Sequence, residues 1–119
     1  MRIVIGGQVE KQRIADVIAE KCKDVQIVVK SDIEAAADVR SGIADYYFGA
    51  CHTGGGAIAM PMALLGRNKC ATISSPGKPP VADEIKDLVK NGKKAFGFTS
   101  DHLSDAVSML LDAIRMIEK

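Results

Sequence analysis

The stretch Phe48-Gly-Ala-Cys-His-Thr-Gly-Gly-Gly-Ala-Ile-Ala-Met60 joins two apolar runs through a cysteine, a histidine, a threonine and three glycines. The run before it, residues 45–49, is short and rich in aromatic side chains, as strands are. The run after it, residues 57–65, is apolar nearly all round, as buried helices are. A glycine-rich turn from a strand into a helix is half of a β-α-β unit. Whether the chain is built from such units decides its fold.

Working outward, the same alternation recurs. Residues 2–5 read as a strand and 9–22 as a helix, with Ile14, Val17, Ile18 and Cys22 on one stripe. Residues 25–29 form the second strand. Ser31 and Glu34 make a capping box that opens a helix to about residue 41, where Gly42 stops it. Residues 70–73 and 95–98 supply two more strands. Between them a helix over 83–91 ends at Gly92. A final helix follows Ser100, with Leu103, Val107, Leu110, Leu111, Ile114 and Ile117 on one face. Strict alternation of this kind predicts parallel strands with helices on both faces. The expected architecture is a single α/β domain over residues 1–119. It is a three-layer α/β/α sandwich on a five-stranded parallel sheet, Rossmann-like, with a flavodoxin-like order as one option. Ligands of such sheets bind at the C-terminal strand ends, where the winding reverses.

Composition narrows the function classes. Sixteen basic and fifteen acidic residues leave a formal net charge of +1, and there is no tryptophan. A nucleic-acid protein usually shows a basic stripe and stacking aromatics; neither is visible, so no nucleic-acid partner is expected. The uncharged stretch 46–66 is long enough to span a bilayer, yet it holds three consecutive glycines, a proline, a histidine and a threonine. A strand, a polar loop and a helix explain it better, and no membrane partner is expected. Cys22, Cys51 and Cys70 are odd in number and widely spaced, which suits a reducing cytoplasm and no disulfide framework. Gly6-Gly7 is too short for a dinucleotide fingerprint, no P-loop appears, and no two-histidine motif suggests a metal. No cofactor is expected.

The chemistry concentrates at residues 51–56. Gly54, Gly55 and Gly56 permit backbone conformations closed to other residues and leave N–H groups uncovered. A helix N-terminus follows, with its own free N–H groups and positive dipole end, so an anion could be held there. The same field should lower the pKa of Cys51 and make it a better base or nucleophile. Thr53 can hydrogen-bond at the same place, and His52 can titrate near neutral pH. The alternative is that the glycines serve close packing alone and Cys51 is a small buried hydrophobe. Other strand-end residues that could contact an anion are Gly6, Gly7 and Gln8 after the first strand, and Ser74, Ser75 and Lys78 after the fourth. His102 opens the last helix and could also reach the crevice. Pro61 inside the 57–65 helix should remove a backbone hydrogen bond and kink it. So apolar a helix in so small a chain could be buried against a second subunit, giving a homo-oligomer.

Two resemblances add to this. Ser41-Gly42-Ile43-Ala44-Asp45, then Cys51-His52-Thr53-Gly54-Gly55-Gly56 and Ala57-Ile58-Ala59, resemble the sugar-phosphate isomerases typified by ribose-5-phosphate isomerase B and the galactose-6-phosphate isomerase subunits. In those proteins the pattern is Cys-Gly-Thr-Gly-x-Gly, and the match covers residues 41–60. The resemblance implies a sheet order like theirs, Cys51 as the base moving a proton between two carbons of an open-chain sugar phosphate, and Thr53, Gly54 and Gly56 as the cradle of the enediolate. That family carries Asp-His after its first strand, where this chain has Gly7-Gln8-Val9. His52 stands where a glycine does, and the family's C-terminal arginines have no counterpart. The second resemblance spans the whole chain. Ser41-Gly42, Asp45-Tyr46-Tyr47, Gly49-Ala50-Cys51, Thr72-Ile73, Pro76-Gly77 and Ala95-Phe96-Gly97 are similar to the small bacterial YhfU-type family of unknown function. It implies a fold and a bacterial cytoplasm, and no reaction.

Overall fold

The computed structural model describes residues 1–118. Five parallel strands form one sheet: β1 (Arg2–Gly7), β2 (Gln26–Val29), β3 (Tyr46–Cys51), β4 (Cys70–Thr72) and β5 (Ala95–Thr99). Five α-helices connect or follow them: α1 (Lys11–Lys21), α2 (Asp32–Ser41), α3 (Ala59–Leu65), α4 (Ala82–Lys90) and α5 (Leu103–Glu118). The three-layer α/β/α sandwich read from the sequence is the architecture found.

The strand order is β2-β1-β3-β5-β4. This is not the flavodoxin order 2-1-3-4-5; the last strand inserts between the third and the fourth, leaving β4 at the edge. The winding still reverses between β1 and β3, so the crevice falls beside the Cys51 turn as expected. Its neighbours are the ends of β1 on one side and β5 on the other.

Side-chain parity sorts the two faces. Ile3, Ile5, Tyr46, Phe48, Phe96 and Phe98 pack with α1, α4 and α5 in one core. Val4, Tyr47 and Ala95 pack with α2, α3 and Ile58 in the other. Successive strand residues point to opposite faces, so Gly49, Cys51, Gly97 and Thr99 belong to the α2/α3 face. Gly6, Gly49 and Gly97 stand level with one another across β1, β3 and β5. The bare floor they make is filled from above. A Cβ on Gly6 would come within 2.6 Å of the Tyr47 ring, and one on Gly97 within 2.7 Å of both the Gly54 carbonyl oxygen and Ile58. These glycines serve close approach, as strand glycines often do.

Local signals explain most boundaries. The Ser31 hydroxyl accepts from the Glu34 N–H at 3.2 Å, completing the capping box, and Gly42 ends α2 at φ +84°. Lys30 reaches back to pair with Asp38 of α2 at 2.6 Å. The first helix begins two residues later than its apolar pattern suggests. Val9 forms an isolated bridge to Ala50 instead, and Glu10 takes the left-handed conformation at φ +59° before α1 starts. The expected kink at Pro61 is corrected. A 3₁₀ turn over Gly56–Ile58 comes first, so Pro61 lies in the first turn of α3, where its missing N–H has no intrahelical partner to lose. Nor is this helix covered all round. Pro61 is buried, Met60 and Leu64 are half-buried, and Ala59 and Ala63 are exposed. Among the described residues, no helix is long and apolar enough to cross a membrane.

Candidate functional site

Cys51 is the last residue of β3, level with Thr99 of β5. Its strand position aims the thiol at the α2/α3 face, and the turn that follows folds over it. The Gly54 N–H donates to the Cys51 sulfur at 2.9 Å, and the Thr53 hydroxyl lies 3.6 Å from it. Gly54 makes this possible at φ +91°, pressed against Thr72 and the Ser74 carbonyl of β4's end. Burial works to raise the thiol pKa. The Thr53 hydroxyl and the N–H groups of Thr53, Ala57 and Gly54 outweigh it and hold the thiol below its ordinary value. The donors of the turn therefore converge on the protein's own sulfur. The anion they favour most directly is the Cys51 thiolate.

Not every donor is used this way. Among the described residues the N–H groups of Gly55 and Gly56 have no hydrogen-bond acceptor. Gln8 completes the site from β1. A Cβ on Gly56 would lie 3.3 Å from the Gln8 amide oxygen, 3.4 Å from its nitrogen and 3.6 Å from the Cys51 sulfur. The Gln8 amide, which has no partner among the described residues, and the thiol thus flank one point. Gln8 and Thr53 are exposed, whereas Cys51 is 1 % exposed, covered by its own turn.

The remaining candidates divide. Gly6 and Gly7 are buried; the first faces the Tyr47 ring, and the second, at φ +84°, packs against the Ala50 backbone. His52 is exposed and makes no hydrogen bond or ion pair among the described residues. Ser74 is buried, and its hydroxyl accepts from the Thr99 N–H at 2.9 Å. Ser75 and Lys78 line a cavity of about 280 Å³ between the end of β4 and α4, to which no residue of the 51–56 turn contributes. His102 lies 3.5 Å from Asp101, whose carboxyl is held low, first by the Thr99 hydroxyl and also by His102. Among the described residues, no three His, Cys, Asp or Glu side chains gather closely enough to hold a metal ion.

Sequence reasoning missed Tyr47. Its ring covers Gly6 and Gly49, its hydroxyl donates to the Ala57 carbonyl, and the Tyr47 hydroxyl oxygen in turn accepts from the Gly7 N–H. Burial pushes this phenol far above its ordinary pKa, so it stays a neutral donor. Tyr47 thus ties the first strand's loop to the start of the Cys51 turn's helix. The available signal was the level row of glycines, legible only once the strands are aligned.

The family model described as "Protein of unknown function DUF2620" matches residues 1–114. The chain belongs to the DUF2620 family. The uncharacterized protein YhfU of Escherichia coli strain K12 is 38% identical over 91 residues, which are 76% of this chain and 78% of YhfU. YhfU of Shigella flexneri matches equally. Among solved structures, ribose-5-phosphate isomerase B of Giardia lamblia superposes with a TM-score of 0.71 at 13% identity, covering 97% of this chain and 94% of the other. The ribose 5-phosphate isomerase of Thermotoga maritima does so with a TM-score of 0.66 at 15% identity, covering 96% and 85%. This member of the DUF2620 family thus shares the fold of those isomerases.

The lowered thiol has a measurable consequence. A group whose pKa falls on folding stabilises the fold above its unfolded pKa, and loses that contribution as pH drops through the folded value. The stability of wild type relative to Cys51→Ala should therefore rise with pH up to the ordinary thiol value of about 8.5, then level off. Thermal unfolding of both proteins across that range measures it. A difference that stays flat, or falls as pH rises, would show that the turn does not favour the thiolate.

Proposed function

We propose that the Cys51–Gly56 turn is a small-molecule site for a sugar phosphate or related anion. Cys51 there acts as the base of an aldose–ketose type proton transfer. The observation that carries this reading is the convergence of Thr53, Gly54 and Ala57 on the Cys51 sulfur, which lowers the thiol pKa and makes the thiolate base more available than in an ordinary thiol. The isomerase-like fold and the Cys-x-Thr-Gly-x-Gly pattern support it. The thiolate takes a proton from the carbon beside the substrate carbonyl. The electron pair moves to the carbonyl oxygen, giving an enediolate. The adjacent hydroxyl passes its proton to that oxygen, and the thiol, after exchanging with solvent, delivers a proton to the former carbonyl carbon, so the carbonyl now stands at the carbon first deprotonated. The Gly55 and Gly56 N–H groups, with Thr53, are placed to stabilise the enediolate oxygens. Substrate entry requires the exposed Gln8 or Thr53 side chain to swing away from the covered thiol. Gly7 and Ser74 take part through the backbone they hold rather than through contact with the thiol. Incubation with pentose and hexose phosphates in D2O tests the reading. Deuterium should enter the carbon beside the carbonyl, and its absence across the panel would rule out the proton transfer.

The 1 % exposure of Cys51 favours a second reading, a non-catalytic binding or regulatory protein whose thiolate organises the turn. Ligand-induced stabilisation without deuterium exchange would select it; a ligand at 100 times its dissociation constant adds about 2.7 kcal/mol. Under either reading the protein is a homo-oligomer of a reducing cytoplasm. Support comes from the half-covered apolar stripe of Ala59, Met60, Ala63 and Leu64, and from three buried, unpaired cysteines. Light scattering should give a dimer or larger, dissociated by Leu64→Glu; a monomeric wild type would end the oligomer proposal.

A further inference from the structure

The cavity beside β4 differs in kind from the thiol site. Its floor is aliphatic: Ile73 and Ile85 are buried there and Leu88 half-buried. At about 280 Å³ it lies just below the range of drug-sized pockets and suits a small metabolite. Two opposite charges border this floor. Lys78 stands on the turn after β4, whose backbone is pinned by reciprocal hydrogen bonds between Ser75 and Lys78 at 3.0 and 2.9 Å. Glu84 stands on the first helical turn of α4. Both side chains line the cavity, yet among the described residues neither forms an ion pair with the other or with any third group. Pro79 and Pro80 stiffen the connection between the two carriers.

An unpaired positive and an unpaired negative group bordering one aliphatic floor complement a ligand carrying both charges and a short apolar body. We propose that this cavity binds a small aliphatic α-amino acid, its carboxylate toward Lys78, its ammonium toward Glu84 and its side chain on Ile73, Ile85 and Leu88. A sugar phosphate, with several hydroxyls and a double negative charge, matches neither the floor nor Glu84. The site is separate from the thiol site but not isolated from it. Thr72 and Ser74 line the cavity, and both also press against Gly54 of the Cys51 turn.

The test is an amide NMR titration of the full chain with L-leucine, with 4-methylpentanoate, which lacks the ammonium, and with 3-methylbutylamine, which lacks the carboxylate. Leucine should shift the amides of Ser75, Lys78, Ile85 and Leu88 saturably. Each half-ligand should bind about tenfold or more weakly, the worth of one charge-assisted contact. Lys78→Met should remove the preference for leucine over the amine, and Glu84→Gln the preference for leucine over the acid. Both residues are exposed, so both variants should fold. Absence of leucine-induced shifts would overturn the proposal. Equal binding of all three probes, or unchanged preferences in both variants, would do the same. None of these outcomes bears on deuterium exchange at Cys51, so the two readings fail separately.

Discussion

Gly97→Ala should destabilise the protein by about 1–3 kcal/mol, the usual cost of overpacking a tight interior. The backbone conformation at Gly97 suits any residue, but its surroundings do not. The added methyl would meet the Gly54 carbonyl oxygen and the Ile58 side chain, both at 2.7 Å. Backbone cannot be displaced as a flexible side chain can, so the Cys51 turn must lift off the sheet. The variant should also lose part of the Gly54 hydrogen bond to sulfur, and its thiol pKa should rise toward the ordinary value. Gly55→Ala is the matched control. Nothing lies within 4 Å of its would-be Cβ, and its φ of −76° suits any residue. It should change stability by less than about 0.5 kcal/mol. Urea unfolding of the three proteins decides the matter. Equal stabilities would mean that the turn does not rest on the glycine floor.

Cys51→Ala should slow deuterium incorporation into a sugar phosphate by about 10²- to 10⁴-fold, the range a positioned general base contributes. The fold should survive, because the thiol fills little volume and its hydrogen-bond partners all lie within its own turn. Binding should persist, since the Gly55 and Gly56 N–H groups and Gln8 remain. Thr53→Val should give a smaller loss, as one of several groups near the sulfur is removed while the shape is kept. The pair separates base catalysis from anion binding. Loss of binding in Cys51→Ala would assign the thiolate a structural role, and unchanged exchange would remove it from the mechanism.

Much of this was legible in the sequence. Alternation of short apolar runs with amphipathic ones is a local signal, and it gave the five strands, the five helices and the α2 caps. The chain order of the sheet was not local. Nothing in residues 95–99 announces that they lie between Tyr46–Cys51 and Cys70–Thr72, because pairing partners are chosen by helix packing on both faces. The same limit applies to the site. Cys51, Thr53 and Gly54 are neighbours in the chain, so their meeting was visible. Gln8 was named only as one strand-end residue among several, and its approach to the sulfur needed the β1–β3 register. Tyr47 and the level glycines were missed for that reason. Gly6 and Gly7 looked like ligand contacts from their position, yet Tyr47 and Ala50 occupy the space around them.

The central claim is that the turn's donors converge on Cys51 to favour its thiolate. Titration of the protein labelled with ¹³C at cysteine Cβ tests it most directly. Cys70, whose thiol burial pushes up, is the internal reference. The account predicts that the Cys51 resonance titrates below the ordinary thiol value of about 8.5, well before Cys70, and shifts upward in Gly97→Ala. A Cys51 resonance that titrates together with Cys70 or above it would contradict the account.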